Sequence, residues 1–198
     1  MSYPFTDPRA DFAHRVKAFS KLSLPDGEDK GFDPDFSAKM PDIQGYDLDK
    51  IAQKDFSRYS GNSLASCDSI SLGIDGNYYL VEFKNQNGSN IDGRAIRKKV
   101  VDSISLIRYA FSPDETMSAL HRHIKVYVVF PDQEPFLNIV KIISSSGSCS
   151  SSPMPKRPLW GLDNLLDAEF VDYIGTMTLS EFKNEIARWP RMRFPERT

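Results

Sequence analysis

Two carboxylates and a lysine stand on either side of a turn near the middle of the chain. Asp68 precedes one apolar-rich segment, and Glu82 and Lys84 end the next one. Asp75-Gly76 between the segments is a strong tight-turn signal, which predicts a β-hairpin that folds Asp68 back toward Glu82. Carboxylate oxygens suit Mg²⁺, and a cation beside such a metal stabilises a pentavalent phosphorus transition state. The three residues therefore fit a divalent-metal site for phosphodiester hydrolysis.

The expected register of this hairpin does not by itself bring the three groups together. If Asp75 and Gly76 form a two-residue turn, Asp68 lies opposite Phe83. Side chains alternate between faces along a strand, so Asp68 would then lie on the other face from Glu82. A β-bulge, or a shift of the strand pairing by one residue, is needed to bring the three polar side chains to one face. Bulges are frequent beside active sites.

This motif resembles that of the PD-(D/E)XK nuclease-like superfamily, the fold of many restriction endonucleases, resolvases and repair nucleases. Cys67-Asp68 stands in place of Pro-Asp, and Glu82-Phe83-Lys84 in place of Glu-x-Lys. The resemblance implies that Asp68 and Glu82 bind Mg²⁺, with Mn²⁺ as a substitute, and that the backbone carbonyl of Phe83 completes the coordination. It also implies that Lys84 orients or activates the attacking water. The resemblance covers roughly residues 47–131, and cysteine in place of proline is its one departure.

The predicted elements follow the order of the superfamily core: helix, hairpin, helix, strand. Apolar residues among charges predict a first helix from Asp47 to about Tyr59, and apolar residues at steps of three and four predict a long amphipathic helix from about Ile91 to Phe111. The β-branched run Ile124–Phe130 predicts a buried strand. The first strand of the core has no clear counterpart, although 63–67 could supply a very short one.

The expected fold class is α/β, with a three-layer α/β/α restriction endonuclease-like core, a mixed sheet, and N- and C-terminal decorations. A chain of 198 residues fits a single domain that spans 1–198 and contains the nuclease-like core at 47–131. A short helix is expected at Pro8–Leu22. A capped helix is expected from about Thr178 through Ala187, with Thr178 or Ser180 as its cap. The serine-rich stretch at 144–158 is expected to be a flexible loop.

Amino-acid composition limits the cellular locations and the binding partners that we expect for the protein. A hydrophobic fraction of 40% and a charged fraction of 26% are those of a soluble globular protein. Two cysteines make no disulfide framework, and neither a signal peptide nor a membrane-spanning run is apparent, so a cytoplasmic location without membrane contact is the expectation. The net charge of −2 gives no general affinity for nucleic acid, so local basic clusters have to supply it.

Basic residues crowd the first turns of the long helix. Arg94, Arg97, Lys98 and Lys99 could place positive charge where a phosphate backbone lies, with Arg97 and Lys98 favoured, although an ordinary charged helix face explains them equally well. Gln86 would share a strand face with Lys84 and support the site, or make a loop hydrogen bond instead.

Some carboxylates and one cysteine have ordinary structural explanations beside their functional ones. The first helix carries Asp47, Asp49 and Asp55, and the superfamily often places an additional carboxylate there. An acidic helix start explains Asp47 and Asp49 at least as well. Cys67 is interpreted as a small, half-buried residue rather than as a nucleophile, because no His is paired with it.

The leading hypothesis is a metal-dependent nuclease that hydrolyses phosphodiester bonds of nucleic acid, with DNA favoured. Because two strands need two sites, a homodimer is one expected form. The alternative is a catalytically inactive restriction endonuclease-like module that binds nucleic acid or a protein partner. In a third interpretation the hairpin belongs to an unrelated α/β domain, and Glu82 and Lys84 are a same-face ion pair.

Under the leading hypothesis, Glu82→Ala and Lys84→Ala are each expected to abolish cleavage and leave the fold intact, because they remove a metal ligand and the water-positioning cation. Cleavage assays and circular dichroism of the purified variants test this. Retained activity in either variant would remove this mechanism.

Overall fold

Seven strands of one mixed sheet form the frame of the protein. The structure is a computed structural model that describes residues 12–24, 33–56, 64–86, 90–111, 116–132 and 160–194. The loop expected at 144–158 lies outside these residues. The strands are β1 (Val16–Ala18), β2 (Gln44–Asp47), β3 (Ser69–Gly73), β4 (Tyr78–Phe83), β5 (Ile124–Phe130), β6 (Tyr173–Thr178) and β7 (Met192–Arg193).

The helices differ greatly in length. They are α1 (Phe19–Leu22), α2 (Leu48–Lys50), α3 (Gly93–Ala110), α4 (Met117–Leu120), α5 (Asn164–Asp167) and α6 (Leu179–Ile186). A π-helix over Ile51–Phe56 continues α2, and short 3₁₀ segments occupy Ala13–Arg15 and His121–His123. In the described part of the chain, no helix combines the length and the apolar character needed to cross a bilayer.

The sheet changes its strand direction at β4. The strands lie in the order β1-β2-β3-β4-β5-β6, and β7 pairs with β3. Neighbours from β1 to β4 are antiparallel, whereas β4, β5 and β6 are parallel to one another. A parallel pair requires a crossover connection, and α3 lies in the one between β4 and β5. The expected α/β class with a mixed sheet is thus confirmed.

Helical periodicity predicted α3 correctly, and a capping signal predicted α6. Helix α3 begins after Asp92, whose carboxylate accepts a hydrogen bond from the Arg94 amide at 2.8 Å, and it buries the apolar residues that recur at steps of three and four. Helix α6 has the expected capping box. Thr178 Oγ1 accepts from the Glu181 amide at 3.3 Å, and Glu181 Oε2 accepts from the Thr178 amide at 2.8 Å.

Helices cover both faces of the central strands. Alternate residues of β4 and β5, such as Leu80 and Val126, pack in one core with the apolar stripe of α3. Their neighbours, such as Val81 and Tyr127, pack in a second core with residues of α1 and α6. Strand β4 is therefore buried along its whole length, as its nearly continuous apolar sequence indicates.

The β3-β4 hairpin has a longer loop than its sequence suggested. Ser69 pairs with Val81 and Leu72 with Tyr78, which is one residue away from the register of a two-residue turn. The loop consists of three residues, Ile74, Asp75 and Gly76, because the Gly73 amide donates to the Asn77 carbonyl at 2.9 Å. Gly76 has φ +84°, the left-handed conformation that closes three-residue hairpin loops. The same register, extended by one pair, sets Asp68 opposite Glu82.

Two predictions about secondary structure in the N-terminal half of the chain were wrong. The strand beside β3 is β2, which comes before α2 in the chain, whereas no strand is assigned within 64–67, the described part of the proposed segment. Val16–Ala18 is a strand rather than the middle of a helix. Strand β1 pairs with β2, and this tertiary contact outweighs a weak local helix preference.

Gly76→Val is expected to lower the free energy of unfolding by about 1–2 kcal/mol, because a β-branched residue is strained at positive φ. A Cβ atom at this position meets no other atom within 4 Å, so backbone strain is the only cost. Gly76→Asn should cost less, since asparagine tolerates this conformation. Denaturant unfolding of both variants measures the difference, and equal stabilities would contradict the assignment of the loop.

Candidate active site

Asp68, Glu82 and Lys84 line one pocket at the open end of the hairpin, away from its loop. The pocket has a volume of about 390 Å³. Its carboxylates come from three parts of the chain: Asp47 and Asp49 at α2, Asp68 before β3, and Glu82 in β4. The structure thus brings together the three residues on which the sequence hypothesis depends.

Glu82 is a buried carboxylate with two cations. Its exposed fraction is 0%. Lys84 Nζ lies 2.7 Å from Glu82 Oε1, and Lys99 Nζ lies 2.8 Å from the same oxygen and 3.2 Å from Oε2. A buried charge is very costly without such partners, so these two ammonium groups account for an ionised glutamate in the core.

Asp68 is tied to the end of β4 and to the same lysine. Its Oδ2 accepts a hydrogen bond from the Phe83 amide at 2.6 Å, and its Oδ1 lies 3.6 Å from Lys99 Nζ. Burial and the negative charge of Glu82 raise the pKa of Asp68 well above its usual value. Asp68 and Glu82 therefore face one shared cation, the Lys99 ammonium.

Lys99 was grouped in the sequence analysis with the basic residues at the start of the long helix, and its pairing with Asp68 and Glu82 was not predicted. Burial lowers the pKa of Lys99, but the charges of Glu82 and Asp68 outweigh this effect and raise it above the usual lysine value. The signal was present in the sequence, because Lys99 lies three residues after Ile96 and four before Ser103, on the buried stripe of α3. A lysine at such a position is expected to have a buried partner.

Helix α3 is fixed to the residues around Asp68 by one serine. Ser103 Oγ donates to the Lys99 carbonyl at 2.7 Å and accepts from the Cys67 amide at 2.9 Å. Cys67 is fully buried, and this burial raises the pKa of its thiol, as expected for a packed residue. These bonds hold the backbone of Lys99 and the start of β3 in fixed relation.

The acidic residues of the first helix have three different roles. Asp47 caps α2 by accepting from the Lys50 amide at 3.0 Å, and its other oxygen lies 2.6 Å from Lys17 Nζ. Asp49 accepts from the Ser66 hydroxyl, and burial raises its pKa. Asp55 instead pairs with Arg15 at 2.9 Å and is not among the residues that line the pocket.

Lysines from several elements surround these carboxylates. Lys17 of β1, Lys21 of α1 and Lys50 of α2 line the pocket together with Lys84 and Lys99. No local motif marks the first three as site residues, because they reach the pocket only through the pairing of β1 with β2 and the packing beside it. The pocket thus combines both signs of charge.

The cations proposed to contact nucleic acid lie elsewhere on α3. Arg97 donates to the carbonyls of Trp160 and Gly161 at 3.2 and 3.1 Å, and Arg94 lines a separate surface depression with it. Lys98 pairs with Asp102 at 2.7 Å. None of the three lines the pocket, so their contact with nucleic acid stays a prediction without support from the geometry of the site.

The supporting residues of the sequence hypothesis lie closer to the carboxylates. Gln86 lines the pocket, as does Phe83. The amide of Phe83 is already used, since it donates to Asp68. The roles predicted for the Gln86 side chain and the Phe83 carbonyl stay predictions.

The donor set suits a hard divalent cation in chemical terms. Mg²⁺ is usually bound through one or two carboxylates, with water in the remaining positions. Asp68 and Glu82 supply two carboxylates that already share one cation, Lys99. Among the described residues, no group of three or more His, Cys, Asp or Glu side chains is arranged to hold a metal ion. The fit therefore depends on this pair.

Comparison with known proteins gives no match. No family model matches the sequence, and no curated protein or solved structure matches the chain. The resemblance to PD-(D/E)XK nucleases therefore stays a prediction from the sequence motif of Asp68, Glu82 and Lys84.

Ser103→Ala is expected to lower the free energy of unfolding by about 1–3 kcal/mol, because it leaves the buried Cys67 amide without its acceptor. Ser105→Ala is a matched control, since Ser105 Oγ also bonds back to a carbonyl of α3, that of Val101, but is exposed. Its effect should stay within about 0.5 kcal/mol. Denaturant unfolding measures the free energy of both variants. Equal losses of stability in the two variants would refute the anchoring role of Ser103.

Proposed function

We propose that this protein is a metal-dependent nuclease that hydrolyses phosphodiester bonds of nucleic acid. One observation carries the proposal: Asp68 and Glu82 face a single cation position at the wall of an open pocket, and Lys84 stands beside Glu82. This arrangement matches the roles that the PD-(D/E)XK resemblance assigns to the three residues. A restriction endonuclease-like core at 47–131 is part of the same proposal.

Asp68 and Glu82 would hold Mg²⁺, or Mn²⁺ in its place. When bound, such an ion stabilises negative charge that develops on the phosphate and lowers the pKa of the attacking water. Glu82 is suited to a fixed ligand because burial restricts its side chain. Asp68 is held by the Phe83 amide, so its free oxygen points toward the shared cation.

Lys84 would position the water or stabilise the phosphate oxygens. Its backbone is held in the sheet, since its amide donates to the Val129 carbonyl at 2.8 Å. Its ammonium group lies at the pocket, 2.7 Å from Glu82 Oε1, and carries three N–H donors. The remaining donors are available to a water molecule or to substrate.

The lysines of the pocket support a polyanionic substrate. Lys17, Lys21 and Lys50 come from β1, α1 and α2 and line the same pocket as the carboxylates. Phosphate contacts by lysine supply much of the affinity for nucleic acid, and they do so without regard to the net charge of the whole chain. Nucleic acid, with DNA favoured, is therefore the proposed substrate. A homodimer and a cytoplasmic location belong to the same proposal.

A catalytically inactive module that binds nucleic acid or a protein partner is the second candidate. The observation that favours it is the charge balance of the site, since two ammonium groups already neutralise Glu82. Such a site is stable without a metal ion. The two candidates differ in whether a divalent ion binds, which can be measured directly.

Titration calorimetry with Mg²⁺ and Mn²⁺ is expected to show binding by the wild type, and Glu82→Gln is expected to lose it because a neutral amide replaces a charged ligand. Parallel assays on plasmid, single-stranded DNA and RNA should show metal-dependent cleavage that falls by about 100-fold or more in the variant. Glutamine is preferred to alanine because it keeps the buried shape of Glu82.

Glu185→Gln is the control, since Glu185 pairs with Arg188 at 3.5 Å on the surface and is not among the residues that line the pocket. It should behave as the wild type in both assays. Absence of binding and of cleavage in the wild type would reject the nuclease proposal and favour the inactive module.

A further inference from the structure

The ammonium group of Lys99 lies where the two proposed metal ligands meet. Its Nζ is 2.8 and 3.2 Å from the oxygens of Glu82 and 3.6 Å from Asp68 Oδ1. We propose that Lys99 is an internal counter-ion that takes the cation position between Asp68 and Glu82, and that a divalent ion has to displace it in order to bind. This inference rests on the metal-binding part of the proposed function.

The two lysines at Glu82 are not equivalent. Lys84 follows Glu82 by two residues at the end of the same strand and contacts its Oε1. Lys99 comes from α3 and is close to both carboxylates. If Lys99 leaves, Glu82 keeps one cation, so its buried charge is still compensated. Asp68 instead depends on whichever cation occupies the shared position.

A divalent ion and the Lys99 ammonium cannot occupy the site together. An ion held by both carboxylates would lie about 2.0–2.6 Å from their oxygens. The Lys99 nitrogen already fills the space between these oxygens. Two cations at such a separation also repel each other strongly in a half-buried site, where water screens little. Binding of the ion therefore requires the side chain to move.

Lys99 has room to move while its backbone stays in place. Its side chain is 25% exposed and lines the pocket of about 390 Å³. The lysine stem is flexible, whereas its carbonyl accepts from Ser103 Oγ at 2.7 Å within α3. The displaced ammonium would enter the pocket beside Lys84. Entry of the ion would thus add positive charge to the pocket in which a phosphate group is proposed to bind.

Lys99→Met tests the proposal, because methionine fills similar space without the charge. The dissociation constants of Mg²⁺ and Mn²⁺ are expected to fall about tenfold or more in this variant, since the competing cation is gone. The metal-free variant should melt at a lower temperature than the wild type, and saturating Mg²⁺ should recover most of the difference. Calorimetry and thermal unfolding supply both readouts.

Lys98→Met is the matched control. Lys98 is the preceding residue of α3, and its ammonium pairs with Asp102 at 2.7 Å, away from the pocket. Its metal affinity should equal that of the wild type. Equal or weaker metal binding by Lys99→Met, compared with this control, would overturn the proposal.

Chemical labelling of the wild type provides a test that does not depend on a variant. Amines paired with carboxylates react slowly with an acylating reagent, so mass spectrometry should find Lys99 poorly labelled in the metal-free protein. Saturating Mg²⁺ should increase the labelling rate of Lys99 several-fold and leave that of Lys98 unchanged. An unchanged rate at Lys99 under saturating Mg²⁺ would overturn the proposal.

These measurements need no substrate, so they separate the two proposals. Tighter binding by Lys99→Met without cleavage by the wild type would support the counter-ion and reject the nuclease. Cleavage by the wild type, together with unchanged metal affinity in Lys99→Met, would support the nuclease and reject the counter-ion. If neither the wild type nor Lys99→Met binds a divalent ion, the counter-ion proposal fails together with the metal site.

Discussion

The burial of the Glu82 carboxylate is the constraint on which the rest of the site depends. A carboxylate with no exposed surface has to find cations inside the protein, and it finds one on its own strand, Lys84, and one on the opposing helix, Lys99. The contact between Lys99 and Glu82 joins α3 to the end of β4 and so fixes the position of the helix along the strand. Ser103 reinforces this relation by bonding both the Lys99 carbonyl and the Cys67 amide. Electrostatics and packing therefore determine the same placement of the helix.

The hairpin loop determines whether that placement produces a site. Three loop residues, closed by Gly76 at positive φ, set the register that places Asp68 opposite Glu82. A two-residue loop would move every side chain of one strand relative to the other, and Asp68 would face the opposite core. The two cores above and below the sheet hold this register, because alternate residues of β4 belong to different cores.

Charge in the pocket is balanced locally although the chain is slightly acidic. Four carboxylates and five lysines line the same volume, and they come from elements spread between β1 and α3. Such a balance offsets the buried negative charge without a metal ion, and it places several ammonium groups at the wall of the pocket, where they could contact a bound anion. It also explains why an active nuclease and an inactive binding module are both compatible with the same side chains. The two alternatives differ in which cation, the Lys99 ammonium or a divalent ion, occupies the position between Asp68 and Glu82.

The sequence by itself determined the elements with strong local signals and the residues at their ends. Periodicity located α3, the β-branched run located β5, and the turn signal placed Asp68 at the start of one strand of a hairpin and Glu82 on the other. Only the tertiary structure decided the register, the origin of the strand beside β3, and which basic residue of α3, Lys99 rather than Arg97 or Lys98, contacts the carboxylates. The physical reason is the distance along the chain over which each kind of interaction acts. Local patterns specify backbone conformation over a few residues, whereas the arrival of Lys17, Asp47 and Lys99 at one pocket depends on how distant elements pack.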